Sequence, residues 1–229
     1  MIDYKVERSP RRKNCPPGIL AVPTMSSREH WEKVYTSKGP QDVSWFRPHL
    51  ERSLAFLEAA KVGHTAAVID VGGGASTFVD DLLDRGYENL TVLDLSQMAL
   101  DAARTRLGKR ASHVRWISAD VTTAQLEVAA YDFWHDRAVF HFLSDRLARE
   151  RYVATVRKSL KPGGHVVVAT FGPHGPEKCS GLEVMRYSPE ELHAEFGHEF
   201  AQLANATETH LTPWGSEQEF TYCYCRMPA

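Results

Sequence analysis

The sequence predicts one α/β domain with a doubly wound, seven-stranded, mostly parallel sheet. A chain of 229 residues can bury one large core but is too short for two. Short apolar or alternating segments are separated largely by segments of helical periodicity, which is typical of a parallel sheet with helices on both faces. A glycine-rich turn follows the first of these segments, at the edge where such sheets bind ligands.

Each predicted strand is bounded by a turn or by a helix signal. The strands are AAVIDVG, NLTVLDLS, VRWISAD, YDFWHDRAVF, HVVVATFG, AQLANATETHL and FTYCYCRM. The first is almost wholly apolar, as expected for a strand buried on both faces. Predicted helices cover SSREHWEKVY with Ser26 or Ser27 as N-cap, residues 50–60, 78–86, 99–108 and 147–160, and SPEELHAEFG with Ser188 as N-cap.

The first part of the chain is predicted to differ from the rest. Residues 1–25 carry prolines and basic residues without an apolar period, so we expect a mobile leader with little surface to bury. Residues 26–229 form the predicted domain. Within it, residues 26–60 are predicted to form an N-terminal helical lid.

Composition argues against several classes of function. The formal net charge is −2 and no basic cluster dominates, so we expect no nucleic-acid substrate. No apolar run approaches the ~18 residues that a membrane-spanning helix needs, so no membrane partner is expected. The few scattered cysteines favour a cytoplasmic location over a disulfide framework. The histidines and cysteines show no metal-ligand spacing, so no metal is expected.

The segment VIDVGGGASTF is a strand, a glycine turn and a helix start in succession. Gly72 and Gly74 match the first two positions of the G-x-G-x-x-G dinucleotide motif, but Thr77 stands at the third. Glycines let a ligand approach the backbone closely, so Gly72, Gly73 and Gly74 are predicted cofactor contacts. Asp70 precedes the turn, and its carboxylate suits a cationic ligand better than a pyrophosphate.

Two further carboxylates end predicted strands. Asp94 follows Gly74 by 20 residues, where a carboxylate can accept hydrogen bonds from both hydroxyls of an adenosine ribose. Asp120 ends the third strand and can accept a hydrogen bond from the adenine amine, while the Val121 N–H can donate to the ring. Each feature alone also fits a plain turn or helix cap, but their joint order favours a nucleoside cofactor.

In these segments the chain resembles the class I S-adenosylmethionine (SAM) dependent methyltransferases. The similarity runs from about residue 66 to residue 172, through VIDVGGGAS, VLDLS, ISADV, YDFWHDRAVFHFL and LKPGG. It implies a Rossmann-like sheet of strand order 3-2-1-4-5-7-6, with SAM as cofactor and S-adenosylhomocysteine as its product. It also implies that Asp94 binds the ribose, with Leu95 and Ser96 beside it, and that Asp120 binds the adenine. The third spaced glycine found in many members is absent.

The fourth strand supplies the candidate catalytic residues, because its end lies beside the glycine loop in this topology. Asp136 is expected to face the sulfonium or the acceptor, and is predicted both as a catalytic residue and as a cofactor contact. Arg137 is predicted to hold an anionic acceptor group or to pair with Asp136. His135, also predicted as a cofactor contact, and His141 are candidate bases, since imidazole titrates near neutral pH. Packing is the alternative role for each histidine.

Aromatic residues concentrate before the core. Tyr35, Trp45 and Phe46 are predicted to flank the sulfonium, since aromatic faces attract cations, and residues 31–46 are predicted to act as a lid. Trp31 is assigned instead to stapling the first helix to the sheet. Stapling is also the alternative role for the other rings.

The acceptor is predicted to be a small molecule that offers a sulfur, nitrogen or oxygen nucleophile. The D-R pair at 136–137, HWEKVY and FGPHGPEKCSGLEVMRYSPEEL are similar in layout to the thiopurine methyltransferase branch. A protein lysine N-methyltransferase and a non-catalytic SAM-binding subunit are the alternatives within this fold. The missing third glycine speaks against an NAD-dependent oxidoreductase.

Overall fold

The structure is a computed structural model that describes residues 27–39 and 41–229. The predicted leader, residues 1–25, and the alternative N-cap Ser26 lie outside the described residues. Among the residues described, no helix is long and apolar enough to cross a membrane.

A seven-stranded sheet lies at the centre of the described chain. The strands are β1 (Ala67–Val71), β2 (Asn89–Asp94), β3 (Val114–Ser118), β4 (Tyr131–Arg137), β5 (Leu160–Phe171), β6 (Lys178–Cys179), β7 (Leu182–Glu183), β8 (Ala201–Leu211) and β9 (Glu217–Arg226). The large sheet has the order β3-β2-β1-β4-β5-β9-β8, and β6 with β7 forms a separate hairpin. Neighbouring strands among β1 to β5 are parallel, while β9 runs antiparallel to both β5 and β8. Counted within the large sheet alone, the order is 3-2-1-4-5-7-6, which confirms the prediction.

Helices cover both faces of this sheet. They are α1 (Ser27–Ser37), α2 (Glu51–Ala60), α3 (Phe78–Asp84), α4 (Gln97–Leu107), α5 (Arg146–Ser159) and α6 (Pro189–Phe196). Alternation along β1 divides the core, because successive side chains of a strand point to opposite faces. Val68 belongs to an apolar cluster with residues of α2, α3 and α4. Ile69 belongs to a second cluster with residues of α5 and α6. The apolar strands have hydrophobic side chains on both faces of the sheet, so helices must cover both faces to bury them.

Local signals end and begin the helices where the sequence indicates. The Ser188 hydroxyl accepts a hydrogen bond from the Glu191 N–H, the Glu191 carboxylate accepts one from the Ser188 N–H, and Pro189 occupies the first turn of α6. Ser96 likewise accepts a hydrogen bond from the Ala99 N–H at the start of α4.

Two regions differ from the predicted boundaries. β5 begins at Leu160, which pairs with Tyr131, rather than at His165. The LKPGG segment is therefore extended beside β4, and α5 already ends at Ser159. The segment between β5 and α6, for which no strand was predicted, contains the β6–β7 hairpin, whose two-residue strands are too short to give a periodic sequence signal.

Candidate functional site

A cavity lies at the carboxyl ends of β1, β2 and β4, beneath α1. The strand order reverses between β1 and β4, and open α/β sheets bind ligands at such a switch point. The lining residues are Ser27, Trp31, Tyr35, Trp45, Val71, Gly72, Leu93, Asp94, Leu95, Ala119, Asp120, Val121, Arg137, Ala138, Val139, Phe142, Leu143 and Leu182. The predicted cofactor contacts Phe46, Asp70, Gly73, Gly74, Ser96, His135 and Asp136 are outside this lining.

The glycine turn brings the backbone to the cavity wall. Gly72 has a φ of 72°, a left-handed value that favours glycine. A Cβ at Gly72 would also lie 2.0 Å from the Val139 Cγ2 atom. At Gly74 a Cβ would lie 2.5 Å from the Ala99 Cβ atom. Side chains at these two positions would therefore close the space between the loop and its neighbours.

Asp94 presents a buried carboxylate at the end of β2. Its Oδ2 atom accepts a hydrogen bond from the Gly74 N–H at 3.0 Å, and its Oδ1 atom accepts one from the Ser96 N–H at 2.8 Å. Burial raises the pKa of Asp94 to about 6, although these two backbone donors act in the opposite direction. Each carboxylate oxygen can accept a further hydrogen bond, and Asp94 lines the cavity. Gly74 and Ser96 thus support this wall, whereas Gly73 lies against Asp70.

The end of β3 forms the neighbouring wall. The Oδ1 atom of Asp120 accepts hydrogen bonds from the N–H and the hydroxyl of Thr122, at 2.8 Å and 2.7 Å. That turn fixes the carboxylate while its other oxygen keeps its capacity to accept. Val121 and Leu95 line the same part of the cavity. This wall combines an acceptor with apolar surface, as an adenine ring requires.

Aromatic side chains roof the cavity. Ser27, Trp31 and Tyr35 are spaced four residues apart on α1, so they lie on one helix face, and all three line the cavity. The Trp31 ring centroid lies 5.8 Å from that of Trp45 and 5.0 Å from that of Phe142. Trp31 is therefore part of the roof, in addition to the stapling role assigned from sequence.

Two polar residues of α1 hold this roof to the sheet. Glu32 accepts hydrogen bonds from the N–H groups of Gln97 and Met98, at 2.7 Å and 3.2 Å, at the first turn of α4. A carboxylate at a helix N-terminus is favoured by unpaired N–H groups and by the helix dipole. Arg28 donates to the Leu95 carbonyl and, at 2.9 Å, to the Ser118 hydroxyl. α1 is thus bonded to both strand ends that form the Asp94 and Asp120 walls.

Arg137 ends β4 and lines the cavity opposite these walls. Its side chain lies over the Phe220 ring, with Cζ 4.1 Å from the centroid. Nε donates to the Tyr222 hydroxyl at 3.1 Å, and Nη1 donates to the Trp45 carbonyl at 3.0 Å. Nη2 is buried and has no hydrogen-bond partner among the described residues.

Asp136 faces away from the cavity. Its carboxylate accepts hydrogen bonds from the Val139 and Phe140 N–H groups, at 2.9 Å and 3.2 Å, and from the Tyr152 hydroxyl at 2.7 Å. Burial raises its pKa to about 7 against these donors. Strand alternation points it towards α5, so it does not line the cavity, and its contact with a ligand stays a prediction.

Asp70 and His135 lie beneath the glycine turn. The Asp70 Oδ1 atom is 2.7 Å from Nδ1 of His135, whose Nε2 atom is 2.8 Å from the Ser53 hydroxyl. The His135 ring also packs on Phe78, with centroids 4.1 Å apart. All three polar side chains are buried. Asp70 and His135 do not line the cavity, and their ligand contacts stay predictions. The Oδ2 atom of Asp70 has no described partner and lies against Gly73.

His141 is a packed, neutral imidazole. Its Nδ1 atom accepts a hydrogen bond from the Phe171 N–H at 3.2 Å. Burial, with a smaller effect from Arg137, lowers its pKa to about 3. It does not line the cavity, so of the predicted catalytic residues the structure brings only Arg137 to the cavity wall.

These features fit a nucleoside carrying a cation. The Gly72 turn lines the cavity with backbone, Asp94 can accept from ribose hydroxyls, and the roof supplies aromatic faces. The Oδ2 atom of Asp70, which has no partner among the described residues, lies behind the same turn. The donors and acceptors are those that SAM requires.

Comparison with known proteins identifies the kind of domain. Residues 68–164 match the family described as methyltransferase domain. That segment contains the glycine turn, both strand-end carboxylates and Arg137. The chain is a SAM-dependent methyltransferase, and its fold is that of the class I members. Its cofactor is SAM.

Of three relatives of this methyltransferase, one has an acceptor in its name. EEF1A lysine methyltransferase 2 of Danio rerio is 26% identical over 172 residues, which cover 69% of this chain and 74% of the relative. Nodulation protein S of Rhizobium tropici is 31% identical over 117 residues, which cover 51% of this chain and 47% of the relative. The structure of N-methyltransferase NodS from Bradyrhizobium japonicum WM9 in complex with S-adenosylhomocysteine matches with a TM-score of 0.63 at 18% identity, covering 87% of this chain and all of that one, 100%.

Several features of the methyltransferase site were not predicted from sequence. Phe142 and Val139 enter from the turn after β4, and Leu182 enters from the hairpin. The spacing of Ser27, Trp31 and Tyr35 is a signal that would have placed Trp31 in the roof. The contacts of Arg28 and Glu32 join parts of the chain that no local pattern relates.

Proposed function

We propose that this methyltransferase transfers the SAM methyl group to a nucleophile on a small-molecule acceptor. The observation that carries the proposal is the roof, because α1 closes over the cavity and is bonded to the ends of β2, β3 and α4. An acceptor must fit beneath this roof to reach the methyl group. A small molecule can be enclosed there completely, which also excludes water from the reaction.

Within this proposal, each wall has its own role. Asp94 accepts hydrogen bonds from the ribose hydroxyls, while Asp120 and the Val121 N–H position the adenine. Trp31, Tyr35 and Trp45 lie over the sulfonium. SAM supplies a methyl group on a sulfonium, which leaves as neutral S-adenosylhomocysteine when the acceptor's electron pair forms the new bond. The residues contribute alignment rather than covalent chemistry.

The titratable groups around the cavity favour an acceptor that does not need an enzymatic base. Burial, reinforced by the Asp94 carboxylate, raises the pKa of the Tyr35 phenol well above its usual value. Tyr35 therefore stays protonated at neutral pH. His135 and His141 lie outside the cavity lining. A thiolate or a neutral amine, formed in water before binding, suits this site better than an alcohol.

The second candidate is a protein lysine acceptor. It is favoured by the similarity to EEF1A lysine methyltransferase 2, which extends over 69% of this chain. A lysine side chain entering beneath the roof from a protein surface would also present one amine to the methyl group.

A fractionated transfer assay separates the two candidates. Purified enzyme is incubated with methyl-tritiated SAM and either a low-molecular-mass metabolite filtrate or the dialysed protein fraction of the same cells. Under the proposal, the label appears in acid-soluble products of the filtrate. Label confined to acid-precipitable protein would support the lysine candidate and contradict ours. An Asp94→Ala variant is the control for label transferred without this enzyme.

A further inference from the structure

Arg137 is a buried cation without a counter-ion. Its side chain is 9% exposed, and no carboxylate of the described residues forms an ion pair with it. Nε and Nη1 are bonded to neutral oxygens, those of Tyr222 and of the Trp45 carbonyl. Nη2 has no partner and Arg137 lines the cavity. A guanidinium remains charged in any protein environment.

The groups around Arg137 do not neutralise it. Phe220 offers a ring face, and His141 and His210 are neutral, because burial lowers their pKa to about 3 and about 4. Tyr222 donates its hydroxyl to Glu208 at 2.8 Å, but Glu208 is already paired with Arg47 at 2.6 Å. Glu208, which is linked to Arg137 through the Tyr222 hydroxyl, is therefore already paired with another arginine.

Burying a charge without a partner is costly, and such charges in proteins are paired with ions, residues or ligands. We propose that Nη2 of Arg137 binds an anionic group, a carboxylate or a phosphate, on the methyl acceptor. This inference rests on the proposed function and narrows its acceptors to anionic molecules. The guanidinium is planar and offers parallel donors, which match the oxygen pairs of both groups.

The position of Arg137 favours the acceptor over the methionyl carboxylate of SAM as the source of the anion. The adenosine walls, Asp94 and Asp120, lie within residues 68–164, the part shared with the methyltransferase-domain family. Arg137 lies in that part as well, but its Nη1 atom is bonded to the Trp45 carbonyl. Trp45 lies outside the shared part, as do Tyr35 and Leu182, which also line the cavity. Segments outside the shared part are where an enzyme acquires its own acceptor specificity.

Charge also distinguishes Arg137 from what a lysine acceptor needs. An ammonium group beneath the roof would be repelled by the guanidinium, and in a low-dielectric site this repulsion is strong. An anionic acceptor is attracted by the same charge. The acceptor anion and the SAM sulfonium would then carry opposite charges, which stabilises their simultaneous binding.

The test compares two anions with matched neutral molecules on the enzyme loaded with S-adenosylhomocysteine. The probes are benzoate and phenyl phosphate, with benzamide and benzyl alcohol as their neutral counterparts, measured by calorimetry. We expect at least one anion to bind tenfold or more tightly than its neutral counterpart. Arg137→Gln should remove that preference and Arg137→Lys should retain part of it. No preference for either anion in the wild-type enzyme overturns the proposal.

A second measurement separates the two sources of the anion. Affinities for S-adenosylhomocysteine and for 5′-methylthioadenosine, which lacks the amino-acid part, are compared in wild type and Arg137→Gln. We expect each ligand to bind wild type and Arg137→Gln with the same affinity. A tenfold loss for S-adenosylhomocysteine alone would assign Arg137 to the cofactor and overturn the acceptor role. Arg157→Gln is the control, since it removes an arginine from an exposed pair with Glu199 that is not part of the cavity lining, and melting temperatures verify folding.

Failure of this inference and failure of the proposed function give different results. If the fractionated assay labels small molecules but the anion preference is absent, only the role of Arg137 is wrong. If label appears in protein alone, the small-molecule proposal itself is contradicted.

Discussion

The ends of β2 and β4 carry equivalent carboxylates with opposite surroundings. Asp94 ends β2, Asp136 lies next to the last residue of β4, and both are buried with a raised pKa. Asp94 accepts hydrogen bonds from two backbone N–H groups and lines the cavity. Asp136 accepts from two backbone N–H groups and also from Tyr152, which lies on α5. The Asp136 carboxylate uses its hydrogen-bond acceptors within the fold, whereas the Asp94 carboxylate can still accept hydrogen bonds from a ligand.

The comparison shows that a polar residue at the end of a strand indicates at which edge of the sheet it lies. It does not indicate on which face of the sheet its side chain lies. His135 and Arg137 alternate with Asp136 along β4, so they share one face while Asp136 has the other. His135 lies deeper and contacts Ser53 of α2, whereas Arg137 lies at the end and reaches the cavity. The position of a residue in the alternation along the strand, and its distance from the strand end, therefore decide whether its side chain can contact the ligand.

The largest expected effect is the loss of stability in Asp136→Ala. Removing the carboxylate leaves two N–H groups and the Tyr152 hydroxyl unpaired in the core, at ~1–3 kcal/mol for each buried donor. We expect the free energy of unfolding to fall by about 3 kcal/mol or more in urea titrations. Asp145→Ala, which removes only the exposed N-cap of α5, should cost about 1 kcal/mol. Equal losses in the two variants would contradict the structural role.

The converse is expected for Asp94→Ala. Charge-assisted hydrogen bonds contribute ~1.5–3 kcal/mol each, so loss of the ribose acceptor should weaken S-adenosylhomocysteine at least tenfold in calorimetry. The melting temperature without ligand should change less than in Asp136→Ala. Unchanged affinity in a folded Asp94→Ala protein would remove Asp94 from the proposed site.

The two carboxylates also differ in what their titration controls. Both have a folded-state pKa, about 6 and about 7, above the ~3.9 of an unfolded aspartate. The folded protein therefore retains protons that the unfolded chain releases. Their contribution to the free energy of unfolding is largest below pH ~4 and is lost as the pH rises through about 6 and 7.

Cofactor affinity should change with pH in the opposite direction. The Asp94 carboxylate accepts ribose hydroxyls best when ionised, so affinity for S-adenosylhomocysteine should rise about fivefold between pH 5 and pH 7. Asp94→Asn should make this profile flat, while Asp136→Asn should leave its slope in place. A wild-type affinity independent of pH over this range would contradict the assignment.

The smallest effect is expected at the contact between the roof and α4. Glu32→Gln removes a charge at a helix N-terminus, where a charge is worth ~0.3–1 kcal/mol. We expect S-adenosylhomocysteine to bind about threefold more weakly, and trypsin to cleave the Lys33–Lys38 region faster. Glu58→Gln, on an exposed surface pair with Arg85, is the control and should change neither. Identical cleavage in wild type and Glu32→Gln would show that this contact does not hold the roof.

Much of the fold could be predicted because it depends on local patterns. The apolar run of β1 and the glycine turn after it are both present in a few consecutive residues. β6 and β7 gave no such signal, since two residues cannot show a period. The sheet order followed from a family resemblance rather than from the residues themselves.

The candidate site was predicted in part. Asp94 was placed by its spacing from the glycine turn and Asp120 by its position at the end of the third predicted strand, and both line the cavity. The bonds between Glu32 and α4 join residues about 65 apart in the chain, and no sequence pattern relates such pairs. Arg137 has no carboxylate partner among the described residues. This could not be predicted from the sequence either, because it depends on the ion pair between Glu208 and Arg47.

The bond between Glu32 and the first turn of α4 links the roof to the cofactor energetically. The same short segment, Leu95 to Met98, bears contacts from α1 and adjoins the ribose wall. If cofactor binding orders this segment, it also favours the docked α1, and by thermodynamic reciprocity the docked α1 raises cofactor affinity by the same factor. A mutation that weakens the docking of α1 should then also lower the affinity for the cofactor.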